Sequence, residues 1–317
     1  MGNNLCLAEG KDSFFKISNE RFNIIKTWLK ENQIALLRSP PMTGKTSMIS
    51  HLVKELNGTE FGPVISITML GSSTSNNIDE HFFKEIGISW NDLKAQNTQM
   101  LIIIDESQYL YDQVKFKDFW EDVKKLSQEV MSIRLLFMSG YGENYGQSKL
   151  EVPFNFEFPS GIEKLRLTQQ EYLELVDSYS KKRDLKFDEE AVSTLFELSH
   201  GHVGIIRSTF DYFYNKYRAL GENFQQNNSL FIPEYQHYFL STRSFYWFQS
   251  TKFTEQDSQM FRKIVSLYDP KYGFNFDESY HSLDDWIIAG IIIKTEFNGF
   301  KFTSPLIFDF LLTKLFG

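Results

Sequence analysis

The sequence predicts an α/β fold: a parallel sheet covered by helices, followed by a smaller and largely helical region. Three observations predict it. Short apolar runs alternate with amphipathic stretches through the first half of the chain, the pattern of successive strand–helix units. One run, "QMLIIIDE", carries no polar residue from Met100 to Ile104, as a central parallel strand buried on both faces should. After Leu167 the strand pattern stops and capped amphipathic segments replace it.

Taken in order, "RFNIIKTWLKEN" places Phe22, Ile25 and Leu29 at helical spacing. "IALLR", Ile34 to Arg38, reads as a short buried strand. The helix after it turns Met48, Leu52, Val53 and Leu56 inward. "GPVISITML" is the second strand, "GSSTSNN" a loop, and "IDEHFFKEIGISW" a single helix. "QMLIIIDE" is the third strand, "FKDFWEDVKKLSQEV" an amphipathic helix, "IRLLFMSG" the fourth strand and "EKLRL" a fifth. Three helices follow. "LTQQEYLELVDSYSKKR" opens with a capping box, Thr168 as N-cap and Glu171 three residues on. Asp188 caps "EEAVSTLFELSH", and a turn leads into "HGHVGIIRSTFDYFYNKYRAL". "GENFQQNNSLFIPEYQ" is polar, contains a proline and reads as a linker. From about Phe253 come two helices, a hairpin turned by Asn298-Gly299, and an apolar closing helix. That is the outline of a winged helix.

A chain of 317 residues is expected to form two or three domains. Its formal net charge of −8 argues against a general nucleic-acid or anionic-membrane binder. From Phe253 onward nine acidic residues face six Lys and Arg, which favours a structural or protein-contact role there over DNA reading. The lone Cys6 rules out an internal disulfide and fits a reducing compartment. The six histidines show no metal-ligand spacing; His200 and His202, two apart, fall on different faces of any helix. No stretch approaches the roughly 18–20 apolar residues that span a bilayer. "MGNNLCLAEG" lacks a secretion signal, and Cys6 stands where a myristoylation motif wants Ser or Thr. An intracellular protein without a membrane anchor is therefore expected.

"RSPPMTGKTS", Arg38 to Ser47, carries the chemistry. The pattern G-x-x-x-x-G-K-[ST] forms a phosphate-binding loop between a strand and a helix. Backbone N–H groups point inward, and the helix N-terminus adds partial positive charge. Gly44 leaves room for phosphates, Lys45 reaches them as a point charge, and Thr46 offers a hydroxyl to Mg²⁺. Ser39 replaces the first glycine of the pattern, where an unusual backbone angle is expected at a cost of about 1–2 kcal/mol. Pro40 and Pro41 stiffen the loop in advance by fixing φ. The cradle thus runs Ser39, Pro40, Pro41, Met42, Thr43, Gly44, Lys45, Thr46 and Ser47.

A second feature turns a common tripeptide into a site. "LIIIDES" ends a strand in Asp105-Glu106, and in a doubly wound sheet that end lies beside the phosphate loop. Asp105 would hold Mg²⁺ through its water, and Glu106 would orient and polarise an attacking water. Ser139, ending "LLFMS", reads either as a sensor of the γ-phosphate or as a strand-end cap. Arg207, in "GHVGIIR", reads either as a charge leaning over the phosphates or as a surface arginine beside a glycine turn.

"SPPMTGKT", "LIIIDESQYLY", "LLFMSG", "LTQQEY" and "GHVGIIR" together resemble the P-loop ATPases of the AAA+ and STAND groups, over roughly Phe22 to Leu220. "SPPMTGKTS", "GISW", "IIIDESQYLY", "GHVGIIR" and a late "FKFTSPL" look more narrowly like the ATPase module of Crinkler-type proteins. The resemblance implies a P-loop NTPase sheet of order 5-1-4-3-2, an ATP–Mg²⁺ site, a helical lid and a C-terminal winged-helix-like domain. Residues 1–167 would be the ATPase domain, 168–220 the lid, 221–252 a linker and 253–317 the winged-helix-like domain. The family's roles carry to Lys45 and Thr46 in the loop, to Asp105 and Glu106 on the acidic strand, and to Ser139 as sensor. In STAND proteins the lid turn is Gly-x-Pro; here Val203 replaces the proline, and Gly204-Ile205-Ile206-Arg207 also fits the second-sensor pattern of AAA+ proteins. Neither the translocation header nor the effector domain of Crinkler-type proteins is expected in this chain.

Three functions compete. The leading expectation is an ATP-hydrolysing molecular switch with a protein partner, or self-association, through the C-terminal domain. A nucleotide-binding scaffold without turnover is the alternative, because a stiff loop can bind ATP yet mis-aim it. A nucleic-acid remodeller is third. "DESQ" and "FMSG" echo helicase motifs, but the residues after Leu167 do not read as a second RecA-like domain.

Overall fold

Four runs of branched and apolar residues pair side by side because each is too apolar to face water. They are β1 (Ile34–Arg38), β2 (Val64–Thr68), β3 (Met100–Asp105) and β4 (Ile133–Ser139). The order is β1-β4-β3-β2, all parallel. The four strands thus take the relative order expected for them. The computed structural model describes residues 17–39, 42–70, 77–96, 98–111, 115–128, 132–140, 165–220, 235, 238–239, 253–275, 283, 286–287, 290–295 and 299–316.

The fifth strand expected at "EKLRL" is not found in the part of it that is described. Leu165 and Leu167 are buried but not in a strand, and the Leu167 N–H goes to the Gly201 carbonyl at 2.9 Å. Glu163 and Lys164 lie outside the described residues, as do Pro40, Pro41, the "GSSTSNN" tip and Asn298.

Helices flank the sheet: α1 (Asn19–Glu31), α2 (Lys45–Leu56), α3 (Ile78–Ile86), α4 (Trp90–Ala95) and α5 (Lys117–Gln128). Ser18 and Asn77 cap α1 and α3, accepting from the N–H groups of Arg21 and Glu80. The single helix expected over "IDEHFFKEIGISW" is two. Gly87 adopts φ 75° and ends α3 as a left-handed C-cap, and Ser89 caps α4 afresh. The break turns Trp90 into the core, where it meets Phe82 and Phe119 edge-on at 5.6 and 5.1 Å. Alternate residues of the strands (Leu36, Ile102, Ile104, Leu135, Phe137) form one core with Phe82, Trp90, Phe119 and Trp120. α2 packs on β2 and β3.

The chain divides into two compact units, with the boundary between Lys164 and Leu165; the described loop residues Met42–Gly44 group with the second. The second unit contains α6 (Gln169–Arg183), α7 (Glu189–Ser199), α8 (Val203–Leu220), α9 (Glu255–Leu267), the antiparallel pair β5 (Ile292–Lys294) and β6 (Phe300–Phe302), and α10 (Pro305–Phe316). The Thr168–Glu171 capping box and the Asp188 cap form as expected. Of the range read as a linker, 221–252, residues 235, 238 and 239 are described. Tyr235 and Phe239 are fully buried; Tyr235 packs against Tyr212 and Phe213, and Phe239 against Phe310. Arg166 joins the helices to the C-terminal part, donating to the carbonyls of His200 and Thr303. No helix among the described residues is long and apolar enough to cross a membrane.

Phe119 touches Trp90, Trp120 and Phe137 and is 1% exposed. Phe119→Ala is expected to cost about 3–5 kcal/mol, read by chemical denaturation, because a rigid aromatic cluster cannot collapse into the space left.

Candidate functional site

The site grows from the ends of three neighbouring parallel strands. β1 and β4 pair in register to Arg38 and Ser139. The Ser39 N–H then donates to the Ser139 carbonyl at 3.0 Å, so the ladder runs one residue past β1. Ser39 is fully buried and is not among the described residues with positive φ. The strain expected there falls later in the same loop, at Met42 (φ 62°) and Gly44 (φ 93°). At Gly44 a side chain would be strained whatever the space. Replacing the first glycine by serine therefore costs little. That position needs no left-handed backbone and its N–H extends the ladder, so serine is at ease there.

α2 starts at Lys45, so the next residues sit on a helix N-terminus. The Lys45 ammonium is buried and donates to the Ser39 carbonyl at 3.0 Å. Thr46 Oγ1 donates to Asp105 Oδ2 at 3.0 Å, joining the start of α2 to the end of β3 across 59 residues of sequence. Asp105 Oδ1 accepts the Glu106 N–H at 2.9 Å. Glu106 stands at φ 54°, in the left-handed region that a non-glycine residue enters at a cost of about 1 kcal/mol. Strain of this kind gathers at working sites. The turn it makes leads straight into a 3₁₀ segment, Ser107–Tyr111.

That segment carries two residues whose contacts were not anticipated from the sequence. Gln108 Nε2 donates to Glu106 Oε2, and Gln108 Oε1 accepts the Gly140 N–H at 2.9 Å. The Tyr111 hydroxyl lies 2.8 Å from Ser139 Oγ and accepts from Arg38 Nε at 3.3 Å. Ser139 donates its own hydroxyl to the Gly140 carbonyl and is fully buried. The serine hydroxyl is thus satisfied within the protein, with Tyr111 and Arg38 behind it. The residues were in plain view in "DESQYLY", but nothing in their spacing says which strand end they would reach.

Burial sets the electrostatics. It pushes the Lys45 ammonium below its ordinary value, with the Glu106 and Asp105 carboxylates pulling the other way. It pushes the Asp105 carboxyl up, opposed first by the Thr46 hydroxyl. Two buried charges are therefore held at some expense to the fold. The Thr46 hydroxyl and Asp105 carboxylate are hard oxygen donors placed together, and they fit Mg²⁺, which takes one or two protein oxygens and completes its shell with water and phosphate. Among the described residues no group of three or more His, Cys, Asp or Glu would hold a metal unaided.

The second unit holds the remaining candidate. Arg207 sits in the second turn of α8, pairs with Asp211 at 3.0 Å, and lies 5.9 Å from the Tyr179 ring centre. His202 Nδ1 accepts the Ile205 N–H at 3.4 Å and so caps α8. At Gly204 an added Cβ would lie 2.6 Å from Met42 Cβ, and at Gly44 one would lie 3.6 Å from Val203. The glycine of "GHVG" is thus required for close approach, a constraint no spacing rule reveals.

Asp105→Asn tests the electrostatic reading without any ligand. The folded carboxyl binds its proton more tightly than the unfolded one, ordinarily at 3.8. Its ionisation removes stability as pH rises from that value through the raised folded one. The amide avoids it: its oxygen keeps the Glu106 N–H, and the Thr46 hydroxyl turns to accept from the amide nitrogen. The variant should melt higher than wild type at neutral pH, with the gap narrowing as pH is lowered. An equal or lower Tm at neutral pH would contradict it.

No protein-family model matches the chain, and no curated protein matches it. Solved structures do. The Walker-type ATPase PABY2304 of Pyrococcus abyssi superposes with a TM-score of 0.57 at 15% identity, over 92% of this chain and 95% of that one. Looser likenesses are the RuvB Holliday junction branch migration motor of Thermotoga maritima (TM-score 0.45, 14% identity, 91% of this chain and 92% of that one) and domain III of the replication initiation protein DnaA of Thermotoga maritima (0.44, 11%, 70% and 94%). At such identities the first likeness bears on architecture alone, and it establishes that this chain has the α/β fold of a Walker-type P-loop ATPase.

Proposed function

We propose that the protein is an ATP-binding and ATP-hydrolysing molecular switch of the AAA+/STAND type, most like the ATPase module of Crinkler-type proteins. The observation that carries the reading is the 3.0 Å bond from Thr46 Oγ1 to Asp105 Oδ2, which joins the phosphate loop to the acidic strand end. Lys45, with Gly44 before it and the N-terminus of α2 behind it, binds the phosphates. Burial of its ammonium means that an anion arriving there meets a poorly solvated charge and is held strongly. Thr46 and Asp105 hold Mg²⁺, which when bound neutralises charge on the phosphate oxygens. Glu106 orients and polarises the attacking water. Ser139 reports occupancy of the phosphate end through the Gly140 backbone, and Arg207 adds positive charge once released from Asp211. Residues 253–317, with a helix, a helical turn, a hairpin and a closing helix, serve as a winged-helix-like contact module for a protein partner or a second copy. The acidic balance of that region supports a protein contact over nucleic acid.

Phosphate release and nucleotide affinity test the proposal. Lys45→Ala should weaken ATP binding by roughly 10²-fold. Glu106→Gln should keep binding and lower turnover by roughly 10²–10⁴-fold. Binding with no phosphate release from the wild type would replace the switch with a nucleotide-binding scaffold. Release at equal, measurable rates from all three proteins would remove the switch.

A further inference from the structure

The geometry points to Gln108 as the positioning residue for Glu106, linking that carboxylate to the end of β4; this rests on the reading that Glu106 aligns the attacking water. One amide group makes both contacts. Its Nε2 donates to Glu106 Oε2, and its Oε1 accepts the Gly140 N–H at 2.9 Å. Donor and acceptor hang from the same carbon, so fixing the oxygen on the β4 backbone fixes the direction of the nitrogen. Gly140 directly follows Ser139, whose hydroxyl donates to the Gly140 carbonyl, so the strand end and the amide form one connected set. The backbone is arranged to permit it. Glu106 turns at φ 54°, the Tyr109 N–H closes back on the Glu106 carbonyl at 3.2 Å, and the 3₁₀ segment carries Gln108 across to β4. An added Cβ on Gly140 would lie 3.6 Å from the Gln108 amide carbon, which is ordinary contact. A shift of the β4 end moves the amide, and the amide moves the carboxylate. Leu has neither group, and Glu keeps the acceptor toward Gly140 while losing the donor toward Glu106.

The test uses the full chain and single-turnover phosphate release, with nucleotide affinity and thermal unfolding measured beside it. The variants are Gln108→Leu, Gln108→Glu, Glu106→Gln and the double variant Glu106→Gln with Gln108→Leu. Gln108→Leu should lower turnover by about 10–10²-fold, the loss expected of a misplaced reacting group, while ATP affinity changes less than about threefold. Gln108→Glu should lose as much, although its bond to Gly140 survives, which separates loss of the donor from loss of folding. The double variant should be no slower than Glu106→Gln alone, because Gln108 acts only through Glu106. Wild-type turnover in Gln108→Leu or in Gln108→Glu overturns the inference, as does a double variant in which the two losses multiply. Normal turnover in Glu106→Gln overturns the underlying reading of Glu106, and the role of Gln108 with it. Turnover abolished by Glu106→Gln but untouched by Gln108→Leu overturns the role of Gln108 alone.

Discussion

Burial of β3 on both faces and both edges is the constraint on which the first unit depends. Every residue from Met100 to Asp105 is buried, with β2 on one side and β4 on the other. Such a strand can carry no polar side chain along its length without leaving it unsatisfied. Its chemistry is therefore forced to its C-terminal end, where Asp105 and Glu106 appear. The parallel register brings the ends of β1 and β4 to the same level, at Arg38 and Ser139. A sheet built this way offers one place where loops, helix starts and charges meet, and ligands of open α/β sheets bind there.

That place is held against the preference of its own charges. Lys45 and Asp105 are both buried, and burial moves both away from their ordinary proton affinities. Met42 and Glu106 occupy left-handed backbone. In the first unit Phe82, Trp90, Phe119, Trp120 and Phe137 lock together in one core. A stable scaffold carrying a strained site is the usual division of labour in a working protein.

The second unit solves a different problem. The β pair among its described residues has three residues per strand, so the unit is held by large side chains more than by ladders. Phe261 packs with Trp286, Phe302, Phe308 and Phe316, while Tyr179, Phe187 and Phe210 form a second group under α6 and α8. This use of aromatic rings accounts for much of the high phenylalanine content, 31 in 317 residues. Arg166 and the buried pair Tyr235 and Phe239 tie the helices to the C-terminal part. Residues from Leu165 onward group in one compact unit.

The sequence alone determined what depends on near neighbours along the chain. The bounds of β1, the buried run of β3, the Thr168–Glu171 box, the phosphate-loop pattern and the acidic end of β3 all follow from local pattern. Periodicity, caps and apolar runs are local properties and survive in any tertiary setting. The tertiary structure alone decided what depends on which strand lies beside which. Gly87 ends a helix that its periodicity would continue, because Trp90 is needed in the core. Leu165 and Leu167 read as a strand, yet no strand forms in that described stretch, where the Leu167 N–H goes to Gly201. Ser39 is unstrained because its N–H finds Ser139, a partner 100 residues away. Gln108 reaches Gly140, and Tyr111 reaches Ser139, only through the β3–β4 register. A hydrogen-bond partner is chosen by distance in space, and the spacing of residues along a chain carries that distance only within a turn or two.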